Sequence, residues 1–222
     1  VAWRTLLPFE SVAGQIALDR VSVLFGPGYH VVCYPLPHRR QVNIALFAKA
    51  ATRAQAATLP LQQASVSSPR IAAILAAAAD SWTPWPLYTV HTTQWYAGNI
   101  GLLGDAAHAM VPFQAQGAAM GIEDAAILAP LLVAQPDAEA AFARYQAIRQ
   151  PRVWRVTLTS LSNGVAFHMP WPLSLARDGV IAAQGSHGHL GRLDWLYSYD
   201  ANAASAMNHF DKSAPQPPQS TQ

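Results

Sequence analysis

The chain has 222 residues, of which 51% are hydrophobic and 12% charged, and its net charge is +2 with histidine neutral. That is enough apolar material for one or two buried cores and too much for a disordered chain. With no basic stripe interleaved with aromatics, and no run near the roughly 18 apolar residues of a membrane span, neither nucleic acid nor a membrane is expected as a partner.

The first half reads mainly as strands. Ala2–Leu7, Ile16–Phe25, Tyr29–Leu36 and Gln41–Ala48 are rich in β-branched and aromatic residues. Gly26-Pro27-Gly28 and Pro37-His38-Arg39-Arg40 supply short turns between them, so neighbouring strands should run antiparallel. Within Tyr29–Leu36 the alternation puts His30, Val32 and Tyr34 on one face and Val31 and Cys33 on the other. Cys33 is the single cysteine, which excludes an intrachain disulfide and fits a cytoplasmic location. Residues 51–68 read as a loop with some helix, and Pro69 as the start of a helix through about Ala79. Trp82–Pro86 reads as a rigid bend, Leu87–Thr93 as a strand, and Asn99–Gly104 as a short buried strand.

From about Gln116 the pattern turns helical, with Pro130 expected to end that helix a turn early. Asp137–Leu161 is a second helix that Pro151 should kink or divide. Residues 164–191 look irregular, Arg192–Tyr199 resumes an amphipathic pattern, and Asp211–Gln222 reads as a disordered tail. The expected division is a sheet domain over 1–95, a ligand-binding part over 96–135, a helical region over 136–210 and the tail over 211–222.

The stretch GLLGDAAHAMVPFQAQGAAMGIEDA, residues 101–125, carries the chemistry. Asp105 follows an apolar strand, where ligands commonly bind in layered α/β structures. Its carboxylate suits sugar-alcohol hydroxyls. Pro112 stiffens the loop. The helix from Gln116 presents unpaired backbone N–H groups and a partial positive charge. Gly117 and Gly121, four apart on one face, let a flat or phosphorylated ligand approach the backbone. Glu123 and Asp124 sit near the helix start, where negative charge is favourable. A flavin dinucleotide meets both demands, with hydroxyls toward Asp105 and its pyrimidine edge toward the helix.

This stretch resembles the second flavin-binding motif of the class A flavin-dependent aromatic hydroxylases, the para-hydroxybenzoate hydroxylase fold, and most nearly the salicylate hydroxylase and 3-hydroxybenzoate 6-hydroxylase branch. Ala2-Trp3-Arg4, the hairpin Phe25–Pro35, Tyr145–Arg152 and Asp194–Asp200 also resemble that family. Ala109, where many members have Pro, is a small departure. A Gly-x-Gly-x-x-Gly turn is not found; Gly98-x-x-Gly101-x-x-Gly104 and Gly185-x-x-Gly188-x-x-Gly191 have other spacings. The expected fold is therefore α+β: an antiparallel substrate-domain sheet, the flavin-proximal part of an FAD-binding α/β domain and C-terminal helices, with the N-terminal Rossmann βαβ unit absent. The chain is expected to be the C-terminal portion of such an enzyme.

The resemblance implies hydroxylation of a phenolic or aromatic acid with FAD as cofactor, NAD(P)H as reductant and O2 as oxidant. Gly104, Asp105, Pro112, Gly117, Ala118 and Ala119 are the expected cofactor residues. His30, Tyr34 and Gln116 are the catalytic candidates, His30 as the natural base near neutral pH. His108 is expected to position its loop through a hydrogen bond. A missing N-terminal half or a second copy of the chain is the expected protein partner. The alternative is a non-catalytic remnant or aromatic-ligand-binding module lacking the nucleotide-binding half. No metal is expected, since His187-Gly188-His189 finds no convincing third ligand. The stripe Arg144, Arg149, Arg152 and Arg155 reads as a solvated face or, more sharply, as a docking surface for a missing domain or a dinucleotide phosphate.

Overall fold

A computed structural model describes residues 1–49, 68–79 and 81–206, with the side chains of 186, 187 and 204–206 excepted. Most of the loop expected over 51–68 and the tail over 211–222 lie outside the described residues. The chain divides into two compact units: Val1–Leu87 with Val165–Val180, and Tyr88–Gly164 with the residues from Ile181 on. The segment 165–180, grouped from sequence with the C-terminal helices, thus belongs to the first unit.

The first unit is a five-stranded antiparallel sheet. Its strands are β1 (Ala2–Pro8), β2 (Ser22–Gly26), β3 (Tyr29–Leu36), β4 (Gln41–Ala48) and β5 (Thr83–Trp85), in the order β2-β3-β4-β1-β5. Period-two alternation gives it one covered face. Trp3, Leu7, Tyr29, Val31, Cys33, Val42, Ile44 and Leu46 pack there against Ile71, Ile74, Leu75 and Ala78 of helix α1 (Pro69–Ala78). Val42, Ile44 and Leu46 are fully out of water, worth about 1.5–3 kcal/mol each.

The other face carries Phe25, His30, Val32, Tyr34, Asn43, Ala45, Phe47, Arg4 and Leu6 by strand register. It is closed around His30 and opens toward Tyr34, Arg4 and Leu6, which are exposed. The β2–β3 turn needs glycine at Gly28, whose φ is +79°. It also needs glycine at Gly26, where a Cβ would fall 2.2 Å from the Tyr29 ring.

Several sequence expectations change here. The second strand starts at Ser22, not Ile16; the residues before it form bends. The expected bend at Trp82–Pro86 contains β5, which among the described residues is an edge strand paired to β1 alone, where Pro84 breaks no interior ladder. Leu87–Thr93 is not a strand; among the described residues no strand pairs with it. Val90 N–H instead donates to the Ala109 carbonyl at 2.8 Å, and Thr92 turns the chain through its Oγ1.

The second unit begins with a small hairpin, β6 (Tyr96–Ala97) and β7 (Ile100–Gly101). The strand expected over Asn99–Gly104 shrinks to β7, and its Ile100 is exposed. Then come α2 (Asp105–His108), α3 (Gly117–Ala134), α4 (Ala138–Phe167), α5 (Leu173–Gly191), α6 (Asp194–Tyr197) and α7 (Ala201–Ala206). Met120, Ile127, Leu128 and Leu131 of α3 pack on Ala141, Phe142, Tyr145, Val153 and Val156 of α4, with Trp95 and Leu196.

Neither proline stops its helix. Helix α3 runs on past Pro130 to Ala134, and α4 is undivided at Pro151. Each proline removes one backbone donor, but packing on both sides of it outweighs that loss. The stretch 164–191 is helical rather than irregular. Its prolines 170 and 172 sit between α4 and α5, where no helical N–H is lost, and the one break inside α5 is at Gly185.

Candidate flavin site

Gly104 is the pivot of the site. Its φ of +57° turns the chain from the β6–β7 hairpin region into α2, a conformation that favours glycine. A Cβ built on Gly104 would lie 3.9 Å from the Gly121 Cα, and one on Gly121 equally close to Gly104. The two backbones pass near each other, at a distance where one added methyl group would just reach ordinary van der Waals contact. Gly104 N–H donates to Asp124 Oδ2 at 2.8 Å, which locks the turn to the second turn of α3. Asp105, the next residue, opens α2 and is exposed.

Gly117, the first residue of α3, stands four residues before Gly121, roughly 6 Å along the helix axis at 1.5 Å per residue. A Cβ at Gly117 would meet nothing within 4 Å. No side chain caps this N-terminus: Gln116 holds the cap position with its carbonyl bonded to Met120 N–H at 2.9 Å, and its side chain makes no capping bond. Gln116 is itself buried. The start of α3 is thus without a side-chain cap and has room beside Gly117, about one helical turn from Gly121. An exposed carboxylate follows Gly104 directly. Hydroxyls at one end and an electron-rich edge at the other fit this arrangement. The residues present fit the FAD that the motif implies.

Three residues on one face of α4 hold the loop between α2 and α3. Ser160 Oγ donates to the Val111 carbonyl at 2.6 Å, and Asn163 Nδ2 donates to the Phe113 carbonyl at 3.2 Å and to Gln114 Oε1. At Gly164 a Cβ would stand 2.7 Å from the Phe113 ring. Pro112 is pinned within this loop. The sequence reading missed Ser160, Asn163 and Gly164; their i, i+3, i+4 spacing was the available signal.

A buried ionic network lies behind the site. Asp124 accepts from Gly104 N–H, from His108 Nε2 at 2.7 Å and from Arg149 Nε at 2.7 Å. Arg149 is fully buried and also donates to Glu123 Oε2 at 2.6 Å and to the Met120 carbonyl at 3.2 Å. Arg152 completes Glu123 with two bonds of 2.7 Å and stacks 3.7 Å over the Tyr199 ring. Burial alone would raise the Asp124 pKa, but the bonds from His108, Gly104 and Arg149 outweigh it and bring the carboxyl down to about 2. His108 does position its loop, as expected.

Glu123 and Asp124 serve as counterions for arginines, beyond the favourable helix-start charge read from sequence. The arginine stripe is not a solvated face at Arg149 and Arg152; both are engaged inside the unit. The signal was present, because Glu123 and Asp124 are the only charged residues in an otherwise apolar α3. Among the described residues α3 is the one helix long and apolar enough to cross a membrane. Its two carboxylates are held by α4 arginines, and Met120, Ile127, Leu128 and Leu131 pack in the core of this unit.

In the first unit, His30 is buried at 1% exposure while Tyr34 on the same strand face is 38% exposed. His30 stacks on Phe47 with ring centroids 4.6 Å apart and meets His168 at 2.8 Å, Nδ1 to Nε2. Burial, with His168 adding to it, pushes the His30 pKa down to about 3. The expected base poised near neutrality is thus a neutral imidazole at pH 7, a hydrogen-bonding group before it is a proton acceptor.

The family model of the FAD binding domain matches residues 28–160. The 3-amino-4-hydroxybenzoate 2-monooxygenase PtnB3 of Streptomyces platensis is 33% identical over 211 residues, covering 85% of this chain and 51% of that protein. The 3-hydroxybenzoate 6-hydroxylase 1 of Aquipseudomonas alcaligenes is 27% identical over 202 residues, covering 88% and 51%. The chain thus spans about half the length of these curated relatives. A salicylate hydroxylase substrate complex shares the fold with a TM-score of 0.69 at 23% identity, covering 92% of this chain and 55% of that one. HpxO of Klebsiella pneumoniae, complexed with FAD and uric acid, has a TM-score of 0.65 at 22% identity, covering 80% and 46%. With more than half of its residues inside the family model, the chain belongs to the FAD binding domain family, and its likeness to the class A aromatic hydroxylases is confirmed.

Proposed function

We propose that the protein acts as an FAD-dependent monooxygenase that hydroxylates a phenolic or aromatic acid, with NAD(P)H as reductant and O2 as oxidant. The observation that carries this is the uncapped start of α3, open at Gly117, clamped through Gly104, Gly121 and Asp124 next to the exposed Asp105. Relatives named for hydroxybenzoate substrates support the substrate class. Bound FAD supplies the electron transfer from NAD(P)H and the activation of oxygen.

The chain's own residues bind and orient. Asp105 accepts hydrogen bonds from the ribityl hydroxyls. The amides of Gly117, Ala118 and Ala119 donate to the electron-rich pyrimidine edge, where they favour added negative charge. Gly104 keeps the turn tight. Pro112, in the turn that precedes α3, would help limit water around the bound cofactor. On the sheet, the exposed Tyr34 hydrogen-bonds the substrate phenol, while His30, closed in on the same strand face, orders that face, and the buried Gln116 orients the cofactor.

The test is a visible spectrum of the protein with added FAD, followed by NAD(P)H consumption with and without hydroxybenzoates and identification of the product. Bound flavin with substrate-stimulated turnover and a hydroxylated product is expected. A protein that stays colourless in excess FAD yet binds aromatic acids would replace this reading with a ligand-binding module.

A further inference from the structure

Among the described residues, Arg4 is the single Asp, Glu, Lys or Arg in the strands of the five-stranded sheet. Its cross-strand partners, Ala45 on β4 and Thr83 on β5, carry no charge. The sheet face around it is open. Leu6, Val23, Tyr34 and Trp85 share that face by register and are 38% to 54% exposed. Apolar side chains gathered on one face, rather than scattered singly, mark a binding surface.

The described acids of this unit are already paired elsewhere. Glu10 meets Arg40 at 2.6 Å, Asp19 meets Arg20 at 2.9 Å and Asp178 meets Arg177 at 2.8 Å. Among the described residues, no carboxylate of this unit is therefore left for Arg4. A lone cation on an apolar and aromatic face selects for an anion that carries apolar surface of its own.

We propose that Arg4 is a specificity-determining residue: its guanidinium holds the carboxylate of an aromatic acid substrate, while Tyr34 meets the ring hydroxyl at the other end. The proposal rests on the hydroxylase reading above, with this sheet face as its substrate side.

The register places the two ends suitably. Leu6, Asn43 and Tyr34 form one row across β1, β4 and β3, and Arg4 stands one step along β1 on the same face. The Cα atoms of Arg4 and Tyr34 are thus two strands and two residues apart, about 12 Å by strand geometry. Both side chains rise from one face, so one substituted benzene ring can touch both ends. A guanidinium offers a carboxylate two parallel N–H donors, a match that neither a lysine nor a neutral amide reproduces. Leu6 offers the ring an apolar flank.

The test compares each monohydroxybenzoate isomer with its neutral methyl ester, by calorimetric titration of the protein with FAD added. Ring and hydroxyl are then constant and only the carboxylate changes. Wild-type protein should prefer at least one acid over its ester by about tenfold or more, the equivalent of a hydrogen bond to a charged group. In Arg4→Gln that preference should vanish through weaker binding of the acid, with ester and FAD affinities unchanged. Arg4→Lys, a point charge without the fork, should keep part of it. In turnover the loss should appear in KM and leave kcat within about twofold. Arg39→Gln, at an exposed arginine in the turn between β3 and β4, is the control for general surface charge and should leave the preference as it was. A wild-type protein that binds ester as well as acid, or binds neither, overturns the proposal without any variant being made. An acid preference that survives Arg4→Gln, or falls equally in Arg39→Gln, overturns it too. Arg4-dependent binding of the acid with no hydroxylated product would leave the anchor standing and sink the monooxygenase reading, so the two failures are distinguishable.

Discussion

Arg149 Nε donates to Asp124 Oδ1 at 2.7 Å, and neither side chain is exposed to solvent. The same carboxylate receives Gly104 N–H and His108 Nε2. One buried acid therefore couples the turn before Asp105 to α3, the helix that starts at Gly117. Removing one partner of a buried charge pair leaves the other charge uncompensated, which outweighs any gain from relieving desolvation.

Asp124→Asn should therefore destabilise the protein by about 3–5 kcal/mol, the usual cost of breaking a buried pair. Asn keeps the shape but leaves the Arg149 charge without one of its carboxylates. Urea denaturation measures this. A loss under about 1 kcal/mol would show that the network is not load-sharing, contrary to its geometry.

Asp105→Ala should behave in the opposite way. The side chain is exposed, so stability should change by no more than about 0.5 kcal/mol. FAD affinity should fall about 10- to 100-fold, the equivalent of one or two hydrogen bonds to a charged acceptor. Fluorescence titration with FAD reads the affinity. An unaltered Kd would remove Asp105 from the cofactor site.

Gly117→Ala separates the packing and the binding explanations of the helix-start glycine. A Cβ there meets nothing, so the helix should gain up to about 0.5–1 kcal/mol from the lost backbone freedom of glycine. FAD binding should weaken in the same variant, because the methyl group intrudes on the space before the amides. Gly164→Ala is the control: its Cβ would press on Phe113 at 2.7 Å, and it should cost stability. Tighter or equal FAD binding by Gly117→Ala would refute the cradle.

The pH dependence of stability should carry the mark of His30. Its pKa drops from an ordinary 6.5 to about 3 on folding. Below 6.5 the unfolded chain takes up a proton that the folded chain refuses, so stability present above 6.5 is lost progressively down to about 3. The slope for one such group is about 1.4 kcal/mol per pH unit. Asp124 adds its own loss only lower, between its ordinary 3.8 and about 2. Urea denaturation at several pH values between 5 and 7 reads the histidine contribution, to which His168, whose pKa burial also lowers, adds with the same sign. His30→Phe should show a shallower slope there, whatever its absolute stability; an identical slope would place the titrating group elsewhere.

Local pattern was enough for much of this protein. Alternating β-branched and aromatic residues located β1, β3 and β4 and sorted His30 from Val31 by face, because side-chain direction in a strand is set by period alone. Pro69 marked the first residue of α1. The run from Gly104 through Gly121 pointed to a flavin as ligand, and the family match agrees on FAD as the cofactor. Tertiary structure decided the rest, because the deciding partners are far apart in sequence. Asp124 meets Arg149 across 25 residues, and His30 meets His168 across 138. Nothing adjacent to Arg149 distinguishes it from a solvated arginine, and nothing adjacent to His168 distinguishes a turn residue from the partner of a buried imidazole. The prolines mislead for the same reason: a local donor lost at Pro130 or Pro151 is outweighed by contacts that only the assembled helices provide. Charge burial and proton placement depend on what surrounds a group in space, and that is a property of the fold rather than of the neighbouring letters.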